Sequence, residues 1–235
     1  DILCVGEVLV DFIGHQEGVL ISGTRDYHRY LGGSPTNVAM NSTRLGLNTI
    51  MVATVGNDGF GSYITERLTS VGINTSHVNV LDDKSTSVIF VSRSDGTPDF
   101  IPYRSADCCI YEEQISKEIL SNTKIFHTTC FALSKNPAQK TILKKAKEAY
   151  DLGCKLSIDV NYARKLWKSQ AKAFKVIKTY CQFNPLIKIS EDDMLRLFEK
   201  ELPHDEIFEF FHQQGVDTVC LTLGSKGGKL SQKGK

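Results

Sequence analysis

Polar side chains follow several apolar runs of this sequence directly, at positions where the strands of a parallel sheet would end. Asp11 follows "VLV", Asp159 and Asn161 follow "KLSI", and Thr222 follows "VCL". Ligands of open parallel sheets bind beyond the carboxyl ends of the strands, so these side chains are candidates for one shared site. A carboxylate accepts hydrogen bonds and an amide both donates and accepts them, which suits a ligand with many hydroxyl groups.

Two glycines lie directly before a helical pattern in "LGGSPTNVAMNSTRLG". Ser34 suits the N-cap, and Pro35 suits the first helical position, where a missing N–H costs no hydrogen bond. Gly32 and Gly33 allow the backbone to bend, or allow another group to approach it closely. The free N–H groups of this helix start, together with Asn37, are therefore candidates for contact with a ligand.

A second glycine-rich stretch, "TLGSKGG", contains Gly224 and Gly227 and offers backbone N–H groups that suit a phosphate or a nucleotide. A β-hairpin turn explains the same glycines equally well. Asp11 could likewise simply end a strand, and Asn161 could be a turn residue. His127, inside the apolar run "IFHTT", is expected to be a hydrogen-bonded strand residue rather than a catalytic base.

The two commonest nucleotide-binding motifs, GxxxxGK[ST] and GxGxxG after a strand, are missing from the sequence. The residue types and their spacing alone therefore indicate an α/β ligand-binding enzyme, with no further detail.

Strand and helix patterns alternate along the chain, which predicts a parallel sheet with helices on both faces. An opening strand is predicted from Ile2 to Ile13, and a helix from Pro35 to about Leu45. Later strands include "KIFHTTC", "KLSIDV", "PLIKI" and "DTVCLTLG", which alternate with helical stretches. The 235 residues are expected to form a single α/β domain.

Two segments, about residues 14–31 and 85–103, depart from this alternation. They have strand character with alternating polar residues, as in "STSVIFVSRS", and contain no helical pattern. They predict a small antiparallel sheet that projects from the main body as a lid. Because an uncovered small sheet is an association site, a homodimer through this lid is expected.

The formal net charge of +1 gives no electrostatic signature of nucleic-acid or anionic-membrane binding, and no apolar run is long enough to span a membrane. The seven cysteines include no CxxC pair. Buried reduced thiols in a cytoplasmic protein are therefore predicted rather than a disulfide framework. The adjacent pair Cys108 and Cys109 lacks the spacing of a zinc site.

The run "GGSPTNVAMNSTRLGLNTIMVATVGNDGFG" resembles the first signature of the ribokinase-like (PfkB) carbohydrate kinases. "GEVLVDF", "YRSAD", "DVNYARKLW" and "TLGSKGG" resemble further landmarks of the family, and the first two look most like fructokinases. The resemblance implies a ribokinase-like three-layer α/β sandwich with a small β lid. It also implies an ATP- and Mg²⁺-dependent kinase that transfers the γ-phosphate to a primary hydroxyl of a small sugar, with fructose as the expected acceptor.

Other activities remain open within this resemblance: a 2-keto-3-deoxygluconate kinase, a ribokinase or a nucleoside kinase. A catalytically silent homologue that only binds a sugar or a nucleotide is the alternative outside enzymes.

The resemblance also implies roles for individual residues. Those expected to bind the sugar are Asp11, Gly32, Gly33, Asn37, Tyr103, Arg104, Asp159, Asn161 and Arg164. Those expected to bind the nucleotide are Lys188, Thr222, Gly224 and Gly227. Asp193 is expected to take the metal role.

Three departures from the family pattern bear on these roles. Ala163 stands where the family's "DxNxR" motif has arginine, and Arg164 comes one residue later. The family's "NxxE" motif corresponds to Ser190–Asp193, "SEDD", which keeps a carboxylate but no asparagine. The family's catalytic aspartate lies in a "GAGD" segment that this sequence does not contain. It is expected beyond Lys235, in a chain that is C-terminally incomplete.

Overall fold

The computed structural model describes residues 1–94 and 99–233. The strands of these residues form two sheets. The larger sheet has the spatial order β12 (Gly228–Gln232), β11 (Thr218–Thr222), β10 (Leu186–Ser190), β9 (Lys155–Asp159), β8 (Ile125–Thr129), β1 (Ile2–Val5), β4 (Thr49–Gly56) and β5 (Asn74–Leu81). The smaller sheet has the order β3 (Tyr27–Gly32), β2 (Leu9–Glu17), β6 (Val88–Arg93) and β7 (Phe100–Tyr103).

All neighbouring strands of the large sheet run parallel except β11 and β12, which form an antiparallel hairpin. The helices are α1 (Ser34–Arg44), α2 (Gly59–Ser70), α3 (Lys117–Ser121), α4 (Ala138–Asp151), α5 (Gln170–Cys181), α6 (Glu191–Phe198) and α7 (His204–Gln213).

Two separate hydrophobic cores lie on the two faces of the large sheet. Successive strand residues point to opposite faces, so Cys4 packs with residues of α1 and α2 while Leu3 and Val5 pack with residues of α4 to α7. This arrangement confirms the predicted α/β class, with a mostly parallel sheet and helices on both faces.

The predicted opening strand, Ile2 to Ile13, is wrong, because the structure divides it into β1 and β2. The chain leaves the large sheet after Val5 and enters the small sheet at Leu9. The residues on the two sides of the break, 2–5 and 8–10, are apolar and buried, so the hydrophobic pattern did not separate the two strands.

The small sheet is mixed rather than wholly antiparallel. β2 pairs with β3 antiparallel but with β6 parallel, and β6 pairs with β7 antiparallel. A parallel pair needs a long connection, and the chain supplies one, because β3 to β5 with α1 and α2 lie between β2 and β6. Residues 95–98 of the second predicted lid segment lie outside the described residues.

Candidate active site

The carboxyl ends of β8, β9 and β10 bring polar residues together beside the start of α1. Thr129 and Lys188 are the register partners of Asp159 on its two sides, so the three residues lie next to one another. The Lys188 ammonium nitrogen lies 3.0 Å from Oδ1 of Asp159, and the Ser34 hydroxyl donates to Oδ2 at 2.7 Å. Asp159 therefore joins the helix start to the lysine.

The backbone of the Gly32–Gly33 turn passes very close to two acidic residues. Gly33 has a φ of +106°, and a β-carbon there would overlap the carbonyl oxygen of Glu7. A β-carbon on Gly32 would overlap the carboxylate of Asp11. The close approach of the Glu7 backbone therefore requires glycine at position 33, whereas a β-carbon at Gly32 would force the Asp11 and Leu9 side chains to move.

Asp11 lies on β2 and faces a cavity of about 610 Å³ between the small sheet and the loop after β9. Its carboxylate accepts no hydrogen bond from residues 1–94 or 99–233, and burial raises the pKa of Asp11 to about 6. The same cavity is lined by other polar residues: Asn161, Tyr162, Arg164, Lys165, Asp193 and Arg196. The structure thus brings together Asp11, Asn161 and Arg164, three of the residues predicted for the sugar site.

Two of these polar residues are held by backbone groups. Asn161 accepts a hydrogen bond from the N–H of Phe131 at 3.0 Å, and the exposed Arg164 donates to the carbonyl oxygen of Trp167 at 3.2 Å. Within the described residues, the buried hydroxyl of Tyr162 has no hydrogen-bond partner. The cavity therefore offers the carboxylate of Asp11 and the guanidinium group of Arg164 to a ligand.

Lys165 connects the loop after β9 to the small sheet. Its ammonium nitrogen lies 2.7 Å from Asp99 and donates to the carbonyl oxygen of Phe100 at 3.1 Å. This contact closes one side of the Asp11 cavity.

Asp193 occupies the first turn of α6, where its carboxylate is already engaged. The Ser190 hydroxyl donates to Oδ2, and Arg196 donates to Oδ1 at 3.0 Å. No group of three or more His, Cys, Asp or Glu side chains that could hold a metal ion occurs in the part of the chain that the structure describes. These residues alone therefore do not fit a resident Mg²⁺ site.

Tyr103 and Arg104 line a second cavity, of about 860 Å³, and not the cavity of Asp11. The side chain of Tyr103 is 60% exposed. Arg104 is buried, forms an ion pair with Asp107 and packs over the ring of Phe131 at 4.2 Å. Tyr103 therefore lies away from Asp11, whereas Arg104 packs on Phe131, a residue that lines the Asp11 cavity.

The predicted nucleotide residues lie on β10 and on the β11–β12 hairpin. Gly224 and Gly227 have positive φ angles of 57° and 91°, and the N–H of Leu223 donates to the carbonyl oxygen of Gly227 at 2.8 Å. The hairpin turn thus accounts for both glycines by itself. Thr222 ends β11 next to Ser190, its register partner on β10.

The candidate Asn37 and the strand residue His127, which was not expected to be catalytic, both lie outside the Asp11 cavity. Asn37 is exposed in the first turn of α1. His127 is buried on β8, Nδ1 lies 3.1 Å from the Ser157 hydroxyl, and burial lowers the pKa of the imidazole to about 4.

Sequence reasoning missed Glu7, whose carboxylate contacts both the start of α1 and the end of β8. One signal could have found it. Glu7 lies inside an apolar run, and a charged residue that is buried with its neighbours needs polar partners.

Comparison with known proteins gives the same family along the whole chain. The family model for pfkB family carbohydrate kinases matches residues 1–235. An ATP-dependent 6-phosphofructokinase of Thermoanaerobacterium thermosaccharolyticum is 36% identical over 231 residues, which are 98% of this chain and 71% of that protein. Probable fructokinase-5 of Arabidopsis thaliana is 30% identical over 235 residues, 99% of this chain and 72% of that protein.

Solved structures of similar proteins share the fold. The fructokinase of Halothermothrix orenii superposes with a TM-score of 0.93 at 32% identity, covering 100% of this chain and 84% of that one. A sugar kinase of Pyrococcus horikoshii, solved in complex with ATP, gives a TM-score of 0.85 at 28% identity, covering 100% and 74%. These matches confirm the predicted ribokinase-like fold, and the chain belongs to the pfkB family of carbohydrate kinases.

Proposed function

We propose that this sugar kinase transfers the γ-phosphate of ATP to a primary hydroxyl of fructose. The supporting observation is Asp11, whose half-buried carboxylate faces a cavity of about 610 Å³ next to the Gly32–Gly33 turn. A carboxylate that lacks protein donors is available to accept hydrogen bonds from sugar hydroxyls, and such charged bonds are strong. Fructokinases among both the curated relatives and the solved structures support fructose as the acceptor.

Phosphoryl transfer depends mainly on positioning and on stabilising charge. In this proposal Asp11 and Asn161 orient the sugar, while Lys188 neutralises charge on the phosphates of ATP. Thr222, Gly224 and Gly227 line the nucleotide site. The small sheet acts as the lid that excludes water, which would otherwise compete as the acceptor.

Two acidic residues of the site, Asp159 and Asp193, are already engaged by protein partners. Asp159 is engaged by Ser34 and Lys188, so it orients these groups rather than removing a proton from the sugar. The general base is therefore assigned to neither of these residues; the family resemblance gives that role to the aspartate of a GAGD segment. Because Ser190 and Arg196 already contact the Asp193 carboxylate, Mg²⁺ would be bound by the phosphates of ATP, where it would neutralise part of their negative charge.

Fructose 6-phosphate is a second candidate acceptor. It is favoured by the 36% identity to a protein named as an ATP-dependent 6-phosphofructokinase. It is also favoured by the exposed guanidinium of Arg164 at the Asp11 cavity, because arginine forms bidentate hydrogen bonds with phosphate.

We also propose that two copies associate through the small sheet. On the face of this sheet that is opposite to Asp11, the rings of Phe12 and Phe90 stack at 5.0 Å, and Tyr103 packs edge-on against Phe90 at 6.0 Å. Ile101 is 39% exposed and Tyr103 60% exposed. This apolar surface suits a second copy of the same sheet.

A cytoplasmic location remains a proposal. All seven cysteines are free thiols, and six of them are buried. Within residues 1–94 and 99–233, no helix has the length and apolar character that crossing a membrane requires.

A substrate panel tests the activity directly. We expect fructose or fructose 6-phosphate to bind, and we expect ATP-dependent ADP release with that sugar when the GAGD aspartate of the family is also present. The same assay includes 2-keto-3-deoxygluconate, ribose and adenosine, the acceptors of the other activities that the family resemblance leaves open. Binding of ATP with no phosphorylation and no binding of any sugar would contradict the proposal and favour a silent nucleotide-binding homologue.

A further inference from the structure

Glu7 is a buried carboxyl group for which the proposed reaction has no use. It lies between β1 and β2, and only 1% of it is exposed. Oε1 accepts a hydrogen bond from the backbone N–H of Ser34 at 3.2 Å, and Oε2 accepts from the Thr129 hydroxyl at 2.6 Å. A buried carboxyl group is costly without such partners, so its presence in this core needs an explanation.

The partners of Glu7 belong to the parts of the molecule that carry the predicted site. Ser34 is the first residue of α1, and its side chain donates to Asp159, which contacts Lys188. The carbonyl oxygen of Glu7 also accepts from the Thr36 hydroxyl at 3.4 Å. Side chain and backbone of Glu7 thus both contact the first turn of α1.

The backbone of Glu7 also restricts the position of the Gly32–Gly33 turn. Gly33 packs so closely on the carbonyl oxygen of Glu7 that no β-carbon fits between them. The N–H of Ser34 is one of the helix-start donors that have no partner within the helix. Glu7 supplies that partner and fixes the direction in which the turn leaves β3.

We infer that Glu7 is a positioning residue of the sugar site: its carboxyl group holds the Gly33–Ser34 turn against the end of β8. This inference rests on the proposed function for the identity of the ligand. It predicts that changes at Glu7 alter sugar binding although Glu7 does not touch the sugar.

The shape and hydrogen bonds of the carboxyl group matter here more than its charge. Burial raises the pKa of Glu7 to about 8, against the opposing influence of Thr129, Arg104 and the Ser34 N–H. The group is therefore mostly neutral at pH 7. Glutamine keeps the same shape, accepts from the Ser34 N–H and can donate to the Thr129 oxygen.

The experiment compares Glu7→Gln and Glu7→Ala, with Glu66→Ala on the exposed surface of α2 as the matched control. Fructose, fructose 6-phosphate and ATP affinities are measured by calorimetry. Hydrogen exchange of the amides of residues 33–38 is measured in parallel, without ligand. We expect the glutamine variant to bind sugar within about twofold of the wild type. We expect Glu7→Ala to weaken sugar binding tenfold or more and to accelerate exchange at Ser34 at least tenfold.

Three outcomes decide the inference. A folded Glu7→Ala variant with unchanged sugar affinity and unchanged exchange at Ser34 would overturn it. If Glu7→Ala does not fold, Thr129→Val replaces it, since valine keeps the shape of threonine and removes the hydroxyl that contacts Oε2. Faster exchange at Ser34 then supports the inference, and unchanged exchange overturns it. If the wild type binds no sugar, the proposed function fails while the exchange comparison still tests Glu7.

Discussion

The hydroxyl of Ser34 donates a 2.7 Å hydrogen bond to Asp159, although the two residues are 125 positions apart in the chain. This bond connects the first turn of α1 to the carboxyl end of β9. Asp159 in turn lies 3.0 Å from the ammonium nitrogen of Lys188. One serine therefore links the turn beside Asp11 to the lysine that we propose for phosphate binding.

Removing this hydroxyl tests the link. We expect Ser34→Ala to lower the free energy of unfolding by about 1–2 kcal/mol, because Asp159 loses a donor in a partly buried position. Chemical denaturation measures the change. Ser42→Ala on the same helix is the control, and we expect it to have no such cost. Equal stabilities of the two variants would show that the hydrogen bond contributes nothing.

Asp11→Asn should weaken sugar binding without lowering the stability of the fold. We expect fructose affinity to fall tenfold or more, which corresponds to about 1.4 kcal/mol, because asparagine is a weaker acceptor for sugar hydroxyls. Calorimetric titration measures this, with the exposed Asp205→Asn on α7 as the control. Unchanged sugar affinity in Asp11→Asn would remove Asp11 from the sugar site.

The same variant should be more stable at neutral pH. Burial raises the pKa of Asp11 from 3.8 to about 6, so the folded state binds more protons than the unfolded state between these pH values. The contribution of Asp11 to stability therefore falls as pH rises through this window. We expect Asp11→Asn to be more stable than the wild type by about 1–3 kcal/mol at pH 7, with the gain absent near pH 3. Unfolding midpoints at the two pH values provide the measurement.

His127 should cause the opposite pH dependence. Burial lowers the pKa of its imidazole from 6.5 to about 4, so the unfolded state binds the additional proton within this range. Stability is therefore lost as pH falls from about 6.5 to 4, by up to about 3 kcal/mol. We expect His127→Gln to reduce this loss when unfolding is followed by denaturant titration at several pH values. An unchanged pH profile would mean that another group titrates there.

The proposed association through the small sheet predicts a dimer in solution. We expect sedimentation at micromolar concentration to show twice the mass of the chain, and Tyr103→Glu to shift the protein to monomers by placing charge on the apolar face. Leu45→Glu, at a site that is 82% exposed at the end of α1, should leave the dimer intact. A monomeric wild type would reject the proposal.

Features that depend on neighbours in the chain were predictable from the sequence. The alternation of strands and helices follows from local patterns of apolar residues and glycines. The predicted N-cap at Ser34 is wrong by one residue, because Gly33 is the N-cap and the Ser34 hydroxyl donates to Asp159 instead of capping the helix. Asp11 and Asn161 were identified as polar residues after apolar runs, and the structure places both at one cavity. The family signature added the expected activity.

The tertiary structure alone decided which distant residues meet. Thr129 and Lys188 flank Asp159 because of the register of β8, β9 and β10, and a shift of one residue would turn the side chains to the other face. Tyr103 lies away from the Asp11 cavity because the pairing of β6 with β7 places it on the opposite face of the small sheet. Glu7 contacts Thr129, 122 positions away, only because the chain leaves β1 at that point. Local patterns carry no information about register between strands that are far apart in sequence, so these contacts had to come from the fold.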